Sequence, residues 1–247
     1  GAATRAPAFG LPAQWIDASQ RDYAQSLGYT VVDAGTVVAT HLSTVVHTQA
    51  AALLGRQEVQ ALMEQVNKTT PKLVDEVTPK LLPLSTVQRV LQNLLEEGVH
   101  IRDLRTILET LADHAGRSQD PGELTAAVRI ALGRSIVQQL YGTAPEIAVI
   151  ALDGELERVL QQVVGLVGND GGGIEPGLAD SVVRETMDAV AVQEAQALPT
   201  VLLVPDRLRL PLMRMMRRAA PSLRVLAHGE IPSARTIRVT AIVGGKR

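Results

Sequence analysis

Three amphipathic helical segments packed into Leu84 to Leu140 constrain this chain more than any other feature. In the first, Val87, Val90, Leu91, Leu94 and Leu95 recur at helical spacing behind Ser85 and Gln88, whose separation predicts a capping box, and Gly98 predicts the stop. The second opens near Ile101, carries Leu104, Ile107, Leu108 and Leu111 on one stripe, and leaves at Gly116. The third opens on Asp120, Pro121, Gly122 and Glu123, a cap followed by proline in the first turn, and runs through Leu124, Val128, Leu132, Ile136 and Leu140 as one helix. Each segment has one apolar side, and three such stripes bury one another best as a compact all-α centre.

The flanks read differently. Residues 1–13 read as a loop rich in Ala, Pro and Gly, followed by a short strand at Gln14–Ile16, a helix from Ser19 to Leu27 and a second strand at Tyr29–Asp33. This is too little to build a core, so the segment reads as the end of an α/β unit whose beginning lies elsewhere. From Thr36 a helix with Val37, Val38, Leu42, Val45, Val46 and Leu53 runs to Gly55, and Val59, Leu62, Met63 and Val66 mark another. Pro71, Pro79 and Pro83 punctuate the connector into the centre, around a short helical piece at Lys72–Val77. After Gly142, strands at Glu146–Leu152, Thr200–Val204, Leu223–Leu226 and Thr236–Val243 alternate with helices opening at Asp153, Pro176 and Asp206. The second and third of these strands, joined by a helix, are expected to be parallel, and the last antiparallel, giving a mixed sheet. The fold class is therefore α/β with several parts: a truncated α/β piece, an all-α centre and a C-terminal α/β part.

Candidate chemistry is sparse. The chain has 247 residues, a formal charge of −2, no cysteine and only 2% aromatic residues. Thiolate catalysis and cysteine-ligated metals are excluded, and neither a basic surface nor base-stacking rings favour nucleic acid. No apolar run approaches the roughly 20 residues that span a bilayer. His41 and His47 point about 240° apart on a helix and cannot share a metal. The glycines from Gly165 to Gly173 follow a helix instead of a strand, the wrong order for a phosphate loop. The arginines Arg207, Arg209, Arg214, Arg217 and Arg218 share a helix with Leu208, Leu212 and Met216, and read as its solvated face. Asp153 follows a strand, where a catalytic carboxylate would stand, but helix capping explains it more simply. The helical pair around Gly98 mimics a helix-turn-helix, yet Asp103, Glu109 and Asp113 make its second helix a poor phosphate reader. No catalytic, cofactor or metal site is expected. The residues favour a binding or assembly module, with a ligand-binding domain or enzyme for a phosphorylated small molecule as the alternative, through Gly168–Gly173 and the arginine helix.

Several stretches resemble the C-terminal cytoplasmic part of the FHIPEP family of type III export gate proteins, flagellar branch: Pro7–Ala13, Thr36–Leu42, Ile101–Leu111, Glu123–Arg134, Gly173–Asp180 and Val243–Lys246 among them, in order across the chain. The resemblance implies that the chain, which starts at Gly1, is a piece of a longer membrane protein. It implies four parts: residues 1–33 from a second, α/β subdomain, 34–54 closing the first, 55–142 a helical third and 143–247 an α/β fourth. It further implies a homo-nonameric ring on the cytoplasmic face of the bacterial inner membrane, with the membrane reached only through the N-terminal region. The implied partners are flagellar export chaperones carrying filament-type substrates, the export ATPase complex and other gate proteins. The family's chaperone-docking dimple maps onto Phe9 and Thr40, while its aspartate position holds Ala6, which removes the charged part of that contact.

Overall fold

A computed structural model of the chain describes residues 1–8, 10–167 and 174–245. Phe9 and the glycine loop Gly168–Gly173 lie outside the described residues. Two compact units divide at Gly55, namely Gly1–Gly55 and Arg56–Arg247.

The first unit holds an antiparallel hairpin of β1 (Ala2–Arg5) and β2 (Pro12–Trp15), with Ala2 opposite Trp15 and Arg5 opposite Pro12. The region read as a loop before Gln14 is thus half of a hairpin. Its turn is closed by backbone bonds from Ala6 N to Leu11 O (2.9 Å) and Gly10 N to Ala6 O (2.8 Å), and by Arg5 Nη1 donating to Gly10 O (3.0 Å). Gly10 sits at φ +66°, a conformation that costs a side-chain-bearing residue energy. A 3-10 turn, Ala18–Gln20, is capped by Asp17 instead of Ser19 and leads into α1 (Arg21–Ser26). The segment Tyr29–Asp33 forms no strand, because no neighbouring strand offers it a ladder; Asp33 instead caps α2 (Ala34–Thr48), accepting from Thr36 N at 2.8 Å. The helix breaks at Gln49 before α3 (Ala50–Leu53), and neither helix buries a residue.

The second unit begins with α4 (Arg56–Asn67), α5 (Pro71–Asp75) and an irregular turn, Glu76–Leu81. The predicted helical centre follows as α6 (Leu84–Glu96), α7 (Leu104–Ala115), α8 (Pro121–Ala131) and α9 (Gly133–Tyr141). Val87, Val90, Leu91 and Leu94 of α6 and Ile107, Leu108 and Leu111 of α7 are fully buried, as their spacing predicts. Asp103 and Asp120 cap α7 and α8 through Thr106 N (3.1 Å) and Glu123 N (2.9 Å). Helix α6 ends in a Schellman closure: Gly98 at φ +71° turns the chain, Val99 N bonds Leu94 O at 2.8 Å and Gly98 N bonds Leu95 O at 3.0 Å. Two expectations fail here. The Ser85 and Gln88 capping box does not form, because α6 starts a residue earlier, where the Pro83 carbonyl accepts from Thr86 N (2.9 Å). The single helix from Leu124 to Leu140 breaks at Leu132, between α8 and α9.

The remaining elements are β3 (Glu146–Leu152), α10 (Gly154–Val167), α11 (Pro176–Ala195), β4 (Val201–Val204), α12 (Asp206–Met216), β5 (Arg224–Ala227), a 3-10 turn at His228–Glu230 and β6 (Thr236–Val243). The sheet runs in the order β5-β4-β3-β6. Ile150, Leu152, Leu202, Val204 and Val225 form one core with Leu156 and Leu160 of α10, Val182 of α11, and Leu208 and Leu212 of α12. Tyr141 at the end of α9 donates to Ala148 O at 2.6 Å, and burial pushes its phenol well above the usual range.

Beta4 and β5 pair in parallel as expected, but β6 also lies parallel to β3, so the sheet is wholly parallel and not mixed. Parallel pairing requires the chain to recross the sheet between Ala227, level with the end of β3, and Thr236, opposite Glu146 at its start. That diagonal is about 25 Å from strand spacing and rise, within the ~30 Å reach of the intervening chain. The crossover is anchored along its way. Gly229 N donates to Asp206 Oδ1 (3.0 Å), Arg235 Nη2 donates to Gly142 O (2.7 Å) and Thr236 N donates to Pro145 O (2.9 Å). It also explains the glycine that opens α9, one residue past the break at Leu132: a Cβ on Gly133 would stand 2.2 Å from the Glu230 carbonyl oxygen, so only glycine lets the crossover pass there.

Candidate functional site

The most concentrated chemistry lies where the helical centre meets the α/β part, and it is made of charges the sequence reading placed in solvent. Arg209 belongs to α12, Arg129 to α8, Glu97 caps the end of α6, and Glu230 lies in the crossover. Arg129 donates Nε to Glu230 Oε1 at 2.8 Å and Nη2 to Oε2 at 2.7 Å, a bidentate pair, while its Nη1 lies 2.8 Å from Glu97 Oε2. Arg209 Nη1 donates to the same Glu97 oxygen, and its Nε lies 3.6 Å from Glu230 Oε1. All four side chains are between 1% and 7% exposed. Burial opposes the Arg129 charge, yet the carboxylates of Glu230 and then Glu97 outweigh it and raise the group above its ordinary value.

Two arginines against two glutamates leave no net charge and no open carboxylate face. The arrangement joins elements and offers nothing to a substrate. It also corrects the reading of the arginine helix as a solvated face. Arg217 is exposed and pairs with Glu96 at 3.1 Å, but Arg209 is interior, held between Glu97 at the end of α6 and Glu230 in the crossover. A signal was present: Arg209 follows Leu208 and precedes Leu212 by three residues, on the border of the apolar stripe, and Arg129 stands likewise between Val128 and Leu132.

In open parallel sheets, small ligands bind at the strands' carboxyl ends where the chain order reverses, which here is between β3 and β6. That crevice is filled. Asp153 N donates to Val243 O (2.7 Å), Asp153 Oδ1 accepts from Glu155 N (2.9 Å) as the cap of α10, and Gly244 N donates to Glu185 Oε2 (2.7 Å). Gly244, at φ +86°, lies so close to Leu156 that a Cβ would stand 2.5 Å from its Cδ2. Asp153 is therefore a helix cap with its amide already used. His47 and His114 each bond through Nδ1 to the carbonyl four residues earlier, Ser43 and Thr110, and no cluster of metal-capable side chains occurs among the described residues. Nor, among them, is any helix long and apolar enough to cross a membrane.

Thr40 sits on α2, half-buried, with its carbonyl accepting from Thr44 Oγ1 at 2.9 Å. Phe9 lies outside the described residues; Ala6, at the position of the family's aspartate, takes part in both backbone bonds of the hairpin turn. Around Thr40 the α2 residues Val38 (66%), Leu42 (60%), Val45 and Val46 are exposed, and Leu53 of α3 as well. In the hairpin, Leu11 and Trp15 are also exposed. Those of α2 and α3 are among the apolar helical positions the sequence presents, left open on the surface of the first unit, a pattern typical of surfaces that other protein covers.

Comparison with known proteins places this architecture. The FHIPEP family model matches residues 1–236. The flagellar biosynthesis protein FlhA of Escherichia coli K12 is 51% identical over 246 residues, covering 100% of this chain and 35% of that protein. The chain thus spans about a third of the length of the curated relatives it matches. Among solved structures, the Chlamydia pneumoniae CdsV and CdsO protein complex superposes with a TM-score of 0.81 at 25% identity, covering 94% of this chain and 67% of that one. The nonameric SctV-C of EPEC gives 0.72 at 26%, covering 92% and 68%.

Proposed function

This chain belongs to the FHIPEP family, and from that membership we propose that it is part of the export gate of a flagellar type III secretion apparatus, a docking platform and not an enzyme. The observation that carries the reading is identity of about half the residues over the whole chain to flagellar relatives, without a gap in coverage of either unit. The physical character of the surfaces supports it. The only dense charge cluster among the described residues is internally neutralised, the sheet's ligand crevice is filled by its own backbone and by Asp153, Leu156 and Glu185, and apolar side chains of α2 stand open.

In this reading residues 1–33 and 34–54 complete α/β parts whose remainder lies in the longer protein, 55–142 is the helical spacer, and 143–247 is the C-terminal α/β part. Nine copies form a ring on the cytoplasmic face of the inner membrane, as the SctV-C relative is nonameric. The export ATPase complex docks on it, a reading supported by the CdsV relative having been solved in complex with a second protein, CdsO. Chaperones carrying filament-type substrates land on the first unit at Phe9 and Thr40, with Ala6 supplying no charge. An apolar anchor of this kind contributes about 1.5–3 kcal/mol, suited to capture followed by release.

The test uses the full-length protein. Phe9→Ala is expected to weaken binding of a chaperone and substrate complex about tenfold to a hundredfold in calorimetry, with an unchanged far-UV spectrum. Unchanged affinity would remove Phe9 as anchor, and binding retained by a protein lacking the first unit would overturn the platform's placement.

A further inference from the structure

A groove of about 240 Å³ lies inside the second unit, between the turn after α6, helices α9 and α12, and strand β5. It is independent of the surface around Thr40. Ile136, Met216, Leu223 and Leu226 form its buried walls and Met213 stands partly open at its side. Its floor ends on Glu97 and Arg129, whose charges are already matched within the buried network.

The mouth is basic. Arg217 is exposed and shares Glu96 with Arg89, while Arg224, also exposed, has no ion pair among the described residues. Arg224 reaches from the edge of the sheet to the α6 turn, its Nη2 3.1 Å from where a Cβ on Gly98 would stand, and Gln139 Nε2 holds that turn by donating to Gly98 O at 2.9 Å. Beta5 is an edge strand and four consecutive residues, Leu223 to Leu226, line the groove. Arg224 N donates to Thr200 O, so ladder alternation turns the backbone N–H and C=O of Val225 toward the free edge.

We propose that this groove binds an extended acidic peptide segment of a partner protein, laid along the free edge of β5 with one aliphatic side chain between Met213 and Leu226 and a carboxylate on Arg224. Each part of that description answers a feature of the groove. Methionine walls adapt to an aliphatic side chain of varied shape. An edge strand with a free backbone pair accepts an extended chain. Arg224 and Arg217 select negative charge next to the apolar residue, and a flanking lysine would be repelled.

The experiment is methyl NMR on the 247-residue chain with labelled Met and Leu methyls, titrated with a synthetic nine-residue peptide alternating leucine and glutamate and with its leucine and lysine counterpart. The glutamate peptide is expected to shift the methyls of Met213, Met216 and Leu223, and the lysine peptide to bind at least about fivefold more weakly. Arg224→Glu, a change at an exposed position that leaves the walls intact, is expected to reverse the order of the two peptides. Arg224→Gln is expected to reduce the difference between them while keeping the unbound spectrum. Equal response to both peptides, shifts confined to methyls away from the groove, or no response up to about 1 mM, the weak end of useful recognition, overturns the proposal.

Discussion

Replacing Glu230 by Gln changes one oxygen to an amide group and leaves every neighbouring atom in place, so it isolates the charge. Glu230 is 1% exposed, accepts two hydrogen bonds from Arg129 and faces Arg209 Nε at 3.6 Å. With a neutral side chain, two buried guanidinium groups share only Glu97, and an NH2 group is turned toward a cation. Breaking a buried pair in this way costs about 3–5 kcal/mol, far above an exposed pair, because a charge remains in the interior without its partner. For a unit of this size that corresponds to a fall in Tm on the order of 10 °C. Urea unfolding followed by far-UV circular dichroism measures the cost, with hydrogen exchange of β3 and β6 amides locating it. Trp15, in the first unit, is the wrong probe. The β6 amides are expected to lose protection first, because Glu230 anchors the crossover that delivers that strand. Combining Glu230→Gln with Arg209→Met returns the network to neutrality and is expected to recover part of the loss, a coupling a double-mutant cycle reads directly. A cost below about 1 kcal/mol for Glu230→Gln, at the level of a surface pair, would refute the reasoning.

Two further perturbations test the fold at other points. Gly133→Ala places a methyl group 2.2 Å from the Glu230 carbonyl oxygen, and since the obstacle is backbone, a loss of about 3 kcal/mol in urea unfolding is expected; a neutral effect would mean the crossover moves freely. The Thr36 amide and then hydroxyl hydrogen bonds hold the Asp33 carboxyl below its ordinary value. A lowered folded value means that the cap's contribution is complete above about pH 3.9, the unfolded aspartate value, and is lost as pH falls through the lower folded one. The Thr36 amide shift is therefore expected to titrate with a midpoint below that of an unstructured aspartate, and a midpoint at or above it would contradict the capping role.

Much of the organisation was legible before any coordinates. Asp120 and Asp153 cap helices because a short acidic side chain bonds an amide two or three residues on, an interaction contained within one turn. The stripe from Val87 to Leu94 follows from a periodicity of 3.6 residues, and the strand Glu146–Leu152 from a short unbroken apolar run, signals that need no knowledge of the partner. The resemblance of ordered stretches to a known family pointed to the family that the comparisons show.

What escaped the sequence is contact at long separation. Arg129 and Glu230 lie 101 residues apart and Arg209 and Glu97 112 apart, and nothing local in either stretch says that four charges converge out of water. The parallel direction of β6, the need for glycine at position 133 and the pairing of Arg209 with Glu230 all involve one crossover. The surface of the first unit shows the same limit from the other side: its apolar spacing on α2 was plain, but whether a stripe is core or surface depends on what lies against it. Periodicity and capping act over a few residues and are written in order along the chain, whereas strand direction and the cost of a buried charge are set by neighbours that only the folded arrangement brings together.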